Sequence, residues 1–252
     1  MEVRHGGLSA NALKCLAIVA MLIDHTALTF LPPSSTAYII MRFIGRFTAP
    51  IMFYFVVEGY HRTRDINRYT LRMALFAVIS YVPFVYLMTG AMPGESNFLR
   101  LNVIYTIFIG ILFIRAKNEI TNLPLKILVM TALIILSVPG DWWYIALLMM
   151  LVFDHFRGEH KMQMFGYLLV ILTAGNLIAY IIRPFVLFMN WRIWDFSVYI
   201  PILSEFGMLV PIFLLGCYNG SLGGGGKVAK WGFYLFYPIH LLLLAAVRDL
   251  IL

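Results

Sequence analysis

Apolar residues run along this chain in long stretches that polar residues interrupt only briefly. A helix that crosses the hydrocarbon core of a membrane needs about 20 predominantly apolar residues. Nine stretches approach that length, so the pattern predicts an all-α, polytopic membrane helical bundle with about nine transmembrane helices (range 9–11). The predicted spans are 11–31, 37–59, 69–90, 101–116, 124–138, 142–155, 162–182, 199–217 and 231–249. The intervening segment 183–198 is expected to hold an interfacial or re-entrant piece.

The composition excludes an ordinary soluble domain. Of 252 residues, 62% are apolar and only 12% are charged, and the mean hydropathy is +0.86. Soluble domains carry about 25% charged and 45–50% apolar residues. We therefore expect one membrane domain over 1–252, which contains a Gly-rich loop at 218–230.

The basic residues predict how the chain is oriented. Lysine and arginine concentrate in cytoplasmic loops. With nine spans and a cytoplasmic N-terminus, 13 of the 19 basic residues fall on the inner side. The basic start MEVRHGGLSANALK is followed by no small-residue cleavage site, so the first span is expected to be retained.

The net charge of +7 favours contact with an anionic lipid surface over nucleic-acid binding, since no arginine-rich tail occurs. The stretch GSLGGGG at 220–226 precedes Lys227 but lacks the first glycine and the last Ser/Thr of a phosphate loop. It is interpreted as a flexible cytoplasmic linker.

Asp24 and His25 lie in the middle of the first predicted span. A charge at that depth costs about 2.5–3.5 kcal/mol, so each side chain is expected to find a partner on another helix. Arg42 and Arg46 follow in the second span, one turn apart. An Asp24–Arg46 ion pair would reduce the cost of burying either charge.

The second span carries a slanting stripe at intervals of four residues, which continues from Arg46 through Pro50 and Tyr54 to Glu58 and Arg62. Pro50 is expected to bend the helix and to free a carbonyl in the preceding turn. Glu58 and Arg62 form either a simple intrahelical pair or part of a site.

The densest basic cluster opens the third span. Two interpretations stay open for it: the charges fix topology, or their guanidinium groups bind a phosphate. The cluster consists of Arg62, Arg64, Arg68 and Arg72.

Other polar positions have structural explanations. Asn102, Thr106 and Gly110 form a stripe typical of helix packing, and Asp141 is expected to cap a helix. In the last span Pro238 lies between Tyr237 and His240. For these two residues a structural role and a functional role are equally favoured. His155 and His160 do not have the spacing of metal ligands, so no metal site is predicted.

Several separated motifs, in order, resemble the TraX family, whose namesake is a conjugation protein that acetylates the N-terminus of pilin. They are SANALKCLAIVAMLIDH, RFIGRFTAPIMFYFVVEGYHRTRDINRYTLRMALFAVISYVPF, CYNGSLGG and FYLFYPIHLL. The resemblance implies an integral-membrane acetyltransferase of the bacterial cytoplasmic (inner) membrane. Acetyl-CoA would be the cytoplasmic donor, and a pilin amine, or another amine or hydroxyl, the acceptor at the outer face. The positions that match the family's motifs are Asp24, His25, Arg46, Glu58, Arg62, Asn219, Tyr237 and His240.

The expected catalytic residues are then His25 as general base or acetyl carrier, Asp24 and Arg46 as positioning groups, and Tyr237 and His240. The resemblance favours CoA binding by the basic cluster. The expected CoA-binding residues are Glu58, Arg62, Arg64, Arg68, Arg72, Asn219, Lys227 and Lys230.

Two alternatives remain. A proton-coupled transporter would use Asp24, Glu58 and Arg46, which are residues typical of ion pathways. A non-catalytic factor for pilus or peptide assembly would bind its partner without any affinity for CoA.

Overall fold

Helices form the regular structure of the protein. The computed structural model describes residues 6–95, 100–175, 177–179, 182 and 200–251, without the side chains of 200, 201 and 227. No strand occurs within these ranges, and two isolated backbone bridges join Leu8 to Tyr218 and Leu101 to Gly140.

Twelve α-helices have both ends within the described residues, together with one short 3₁₀ helix, Phe206–Leu209, and residues 177–179 and 182 are also helical. The α-helices are α1 (Ala10–Phe30), α2 (Thr36–Gly45), α3 (Thr48–Arg62), α4 (Ile66–Ile79), α5 (Tyr81–Thr89), α6 (Val103–Glu119), α7 (Leu123–Ser137), α8 (Trp143–His155), α9 (His160–Thr173), α10 (Ile200–Glu205), α11 (Val210–Gly216) and α12 (Gly226–Ile251).

Four helical stretches are long and apolar enough to cross a membrane: Ala10–Phe30, Thr36–Arg62, Ile66–Thr89 and Val228–Ile251. Three shorter apolar helices accompany them among the described residues. The prediction of an all-α, polytopic membrane protein is therefore confirmed. All nine predicted spans contain helix in their described part, whereas the number of crossings and the cytoplasmic N-terminus stay predictions. Segment 183–198 lies outside the described residues.

Prolines explain two interruptions of the long stretches. Pro50 has no N–H, so the carbonyl of Arg46 lacks its helical donor, and α2 and α3 are separated at residues 46–47. The helix is thus interrupted in the turn where the freed carbonyl was predicted. Pro83 stands in the same relation to the break at Ser80 between α4 and α5, so the span predicted at 69–90 is two helices.

Internal contacts divide the chain into two compact units. The first unit comprises Met1–Ile51 and Gly158–Gly225, and the second comprises Met52–Arg157 and Gly226–Leu252. The prediction of a single domain stays a prediction.

In the first unit, α1 packs against α2, and α2 packs against α10 and the 3₁₀ helix. The buried face of α1 includes Ala17, Ala20 and Ala27, whose small side chains allow a close approach of helices. The hydroxyl of Thr48 donates to the carbonyl of Ala17 at 3.1 Å. The hydroxyl of Tyr167, on α9, donates to the carbonyl of Met208 at 2.6 Å.

In the second unit, α6 lies against α4, α7 and α8, and α5 packs against α12. Gly110 faces the Met150 sulfur so closely that a Cβ would overlap it. Thr106 donates its hydroxyl hydrogen to the carbonyl of Asp141 at 2.5 Å. These contacts are the helix packing that the polar stripe on α6 predicted.

Of two polar residues at helix starts, one was predicted to cap a helix, and the other is the one that does. Asn102 is the N-cap of α6, because its side-chain oxygen accepts from the N–H of Tyr105 at 3.1 Å. The predicted cap at Asp141 is wrong, since α8 begins after Trp142, which has a left-handed backbone and no side-chain cap bond. The N–H of Asp141 instead donates to the carbonyl of Leu101 at 2.9 Å, which ties the two helix starts together.

Replacing Asn102 by alanine should lower the free energy of unfolding by about 2–4 kcal/mol. The change removes the cap and also the bond from Asn102 Nδ2 to the buried carbonyl of Ala77, 2.8 Å away. The measurement is chemical denaturation of purified protein in detergent micelles.

The matched control is Asn122→Ala, which removes an exposed N-cap from α7 and nothing else that is buried. It should cost about 1 kcal/mol. An equal loss in both variants would show that the Asn102–Ala77 bond does not stabilise the protein.

Candidate functional site

Asp24 is held by an arginine in the first unit. Arg42 Nη1 donates to Asp24 Oδ2 at 2.6 Å, and the two side chains are 14% and 17% exposed. Gly45 allows this contact, because a Cβ there would overlap the Asp24 carboxylate. The ion pair therefore depends on a position without a side chain, one turn beyond its arginine.

Arg46 is paired with Glu205, at the end of α10. The predicted Asp24–Arg46 pair is therefore wrong. Arg42 and Arg46 differ by one turn in height and by about 40° around the axis, so Arg42 meets α1 and Arg46 meets α10. Gly207 permits the second contact, since a Cβ there would overlap the carbonyl of Phe43 and lie 3.0 Å from Arg46 Cβ.

His25 follows Asp24 on α1 and is half-buried. Adjacent residues of a helix point about 100° apart, so the Asp24–Arg42 pair fixes the turn that carries His25 and not the direction of its ring. The structure brings His25 within one turn of an ion pair inside an apolar span. Its catalytic role stays a prediction.

Tyr237 and His240 lie together on α12 in the second unit, and both are buried. Their rings are 5.5 Å apart and nearly perpendicular. His240 Nδ1 lies 2.8 Å from the carbonyl of Phe236, on whose ring the imidazole also stacks at 4.6 Å. The helix continues through Pro238. These contacts account for the burial of both rings, and their predicted catalytic role stays a prediction.

Glu58 is a buried carboxylate in the second unit that two arginines bind. Arg62 Nε donates to Oε2 at 3.0 Å, which confirms the intrahelical pair. Arg157, just beyond α8, donates from Nε to Oε1 at 3.1 Å. The Glu58 carboxylate thus accepts hydrogen bonds from two arginines, and two positive charges lie next to its one negative charge.

Asp154, in the last turn of α8, is a second buried carboxylate of this unit that binds basic side chains. It lies 2.6 Å from His61 Nε2 and 2.5 Å from Lys117 Nζ, and Asn118 Nδ2 is 3.4 Å away. This group was not among the predicted site residues. No set of three His, Cys, Asp or Glu side chains that could hold a metal occurs in the described part of the chain.

The remaining arginines of the basic cluster separate. Arg64 and Arg68 are exposed, and Arg68 pairs with Asp65 at 2.9 Å. Arg72 lies over the Tyr69 ring, 5.8 Å from its centroid. Three of the four arginines of the cluster thus contact different groups, and phosphate binding by the cluster stays a prediction.

The other two basic candidates belong to the start of α12. Lys230 Nζ lies 5.9 Å from the centroid of the Trp231 ring. The side chain of Lys227 lies outside the described residues.

Asn219 orders the Gly-rich loop in the first unit. Its Oδ1 accepts from the N–H and the hydroxyl of Ser221, at 3.0 and 2.7 Å. The carbonyls of Ser221 and Leu222 then accept from the N–H groups of Ala10 and Asn11 at the start of α1. The loop is therefore attached to α1 and is not the free linker that was predicted, and the loop predicted at 218–230 ends where α12 begins at Gly226.

Four site residues were missed. Arg42 stood out in the sequence only as the neighbour of Arg46. The acidic partner on α10 and the two residues around the end of α8 had no distinguishing spacing, because their partners are far away in the chain. The missed residues are Arg42, Asp154, Arg157 and Glu205.

Comparison with known proteins decides the family. The family model described as TraX protein matches residues 9–248. The chain belongs to the TraX family. The TraX chain is also 33% identical, over 251 residues, to the probable fimbrial assembly protein FimC, serogroup H1, of Dichelobacter nodosus. The match covers 95% of this TraX chain and 96% of that relative. No solved structure matches the chain significantly.

A double-mutant cycle tests the revised pairing. The cycle consists of Asp24→Asn, Arg42→Gln and the double variant. The double variant should lose less free energy of unfolding than the sum of the losses in the two single variants. Removing one partner of a fully buried pair costs about 3–5 kcal/mol, because it leaves the other charge uncompensated. This part-buried pair should cost less, since water partly screens the remaining charge. Stability would be measured by chemical denaturation in detergent.

The control cycle combines Asp24→Asn with Arg46→Gln. Because these residues are not paired, their coupling should stay within about 0.5 kcal/mol. Stronger coupling of Asp24 to Arg46 than to Arg42 would contradict the pairing described here.

Proposed function

We propose that this TraX protein is an acetyltransferase of the bacterial inner membrane that serves pilus or fimbrial assembly. The observation that carries the proposal is the Asp24–Arg42 ion pair next to His25 on an apolar helix long enough to span a membrane. A buried ionised pair is costly, so a functional role is the default hypothesis for it. Membership of the TraX family supports the same function.

In this proposal the acyl donor is cytoplasmic acetyl-CoA, which supplies an acetyl thioester. The acceptor is the N-terminal amine of pilin, or another amine or hydroxyl, at the outer face. The amine nitrogen attacks the thioester carbonyl, the new C–N bond forms, and the C–S bond breaks. The amine proton passes to His25, and the CoA sulfur leaves as a thiolate that takes up a proton.

His25 suits the role of general base because an unperturbed imidazole titrates near neutral pH. Arg42 fixes Asp24, and the pair orders the turn of α1 that presents the imidazole. Arg46 is held by Glu205 and would offer its guanidinium to the oxyanion that develops on the carbonyl.

A non-catalytic assembly factor is the second candidate. The name of the relative, a probable fimbrial assembly protein, favours it without reference to acetyl transfer. A transporter would use the same paired charges, Asp24 with Arg42, Arg46 with Glu205, and Glu58 with two arginines. It is less favoured because neither the family nor the name of the relative refers to transport.

Replacing His25 by alanine should reduce acetyl transfer about 10²- to 10⁴-fold, the usual contribution of a general base. Purified protein in proteoliposomes would receive radiolabelled acetyl-CoA and an amine-bearing pilin peptide, and the label on the peptide would be counted. His155→Ala is the matched control, since His155 is an exposed residue at the end of α8.

Undiminished transfer by the His25 variant would remove that residue from the mechanism. Absence of transfer by the unaltered protein, together with loss of fimbriae in a strain that lacks it, would replace the enzyme with the assembly factor.

A further inference from the structure

Two arginines of the second unit meet on a single buried carboxylate. Glu58 is only 7% exposed, whereas Arg62 and Arg157 are each 39% exposed. Arg62 comes from the same helix as Glu58, and Arg157 arrives from the chain beyond α8. A buried carboxylate thus binds two guanidinium groups that are partly exposed at the surface of the unit.

Charge balance distinguishes this arrangement from an ordinary surface ion pair. At Glu58 one carboxylate binds two guanidinium groups, whereas an ordinary ion pair has one cation for each carboxylate. The neighbouring Asp154 is bound by Lys117 and His61. Basic residues are expected near helix C-termini for electrostatic reasons, but that does not explain why two of them converge on one acid.

Glu58 also fixes where the two guanidinium groups lie. Each arginine is bound to a different oxygen of the same carboxylate, at 3.0 and 3.1 Å, so one side chain fixes the positions of both guanidinium groups. Arg157 uses Nε for this bond, and its two terminal nitrogens make no hydrogen bond to a residue in the described ranges. A planar guanidinium with such an edge binds phosphate oxygens in a bidentate way.

We propose that Arg62 and Arg157 form a binding site for a phosphate group, with Glu58 as the residue that positions them. The ligand is a phosphate-bearing molecule, either a soluble one that contains a diphosphate, such as CoA, or the headgroup of an anionic phospholipid. When the ligand is CoA, the inference rests on the proposed function. It then assigns donor binding to Arg157, which the sequence did not indicate, in place of the exposed Arg64 and Arg68.

The test measures binding to the intact protein in phosphatidylcholine nanodiscs. Calorimetric titration with CoA and with inorganic diphosphate covers soluble ligands. Native mass spectrometry of protein taken from phosphatidylglycerol nanodiscs covers retained lipid. Arg157→Gln should weaken binding about 10- to 100-fold, which corresponds to the loss of one charge-assisted interaction.

Arg115→Gln is the matched control. Arg115 is another arginine at the end of a helix in the same unit, but it pairs with Glu119 and Asn67 and not with Glu58. Arg157→Lys guards against a folding defect, since lysine keeps the charge and loses the planar fork. It should fold normally and still bind the probe more weakly than the unaltered protein.

Weaker binding by the Arg157 variants, with Arg115→Gln unchanged, supports the site, and the probe that binds identifies the source of the phosphate. Failure of the unaltered protein to bind any probe overturns the site, as does an equal effect of the Arg115 and Arg157 changes. Phosphate binding without acetyl transfer would defeat the proposed function and leave the site standing. Acetyl transfer by the unaltered protein, with unchanged probe binding by the Arg157 variants, would overturn the phosphate site and leave the proposed function standing.

Discussion

The pairing of buried charges is the constraint on which the rest of this structure depends. An ionised carboxylate taken out of water loses several kcal/mol of solvation, and only a close cation restores it. Asp24, Glu58, Asp154 and Glu205 each lie within salt-bridge distance of a basic side chain. The Arg46–Glu205 and Arg157–Glu58 pairs join segments far apart in the chain, and the Asp24–Arg42 pair joins two consecutive helices. The positions of the charges therefore help to fix which helices become neighbours.

Close approach of the backbone is the second requirement, and it follows from the first. An ion pair between two helices forms only if the helices come near enough for the shorter side chain to reach. Gly45 lets α2 approach the Asp24 carboxylate, and Gly207 lets the 3₁₀ helix approach α2 at Arg46. Each ion pair therefore depends on the glycine next to it, because a methyl group at Gly45 or Gly207 would displace the pair beside it.

Backbone groups follow the same physical rule as charged side chains. In an apolar surrounding, an unpaired N–H or carbonyl costs several kcal/mol. The Gly-rich loop supplies carbonyls to the first turn of α1, and Asn102 supplies both an acceptor to α6 and a donor to Ala77. The Gly-rich loop, interpreted from the sequence as a flexible linker, thus accepts hydrogen bonds from N–H groups at the start of α1. Asn102, part of the predicted packing stripe, does the same at the start of α6.

The sequence by itself determined the class of fold, the helical content of the nine apolar stretches and the interruption of the helix before Pro50, because these depend on composition and on local backbone chemistry. It also determined the Glu58–Arg62 pair, which lies within one helix and needs only a spacing of four. Tertiary structure decided that Asp24 meets Arg42, that Arg46 meets Glu205, and that Arg157 joins Glu58. These contacts link residues far apart in the chain, and a rotation of about 40° per four residues decides which arginine faces which helix. No pattern along a single chain records that choice, because it is fixed only when the helices pack.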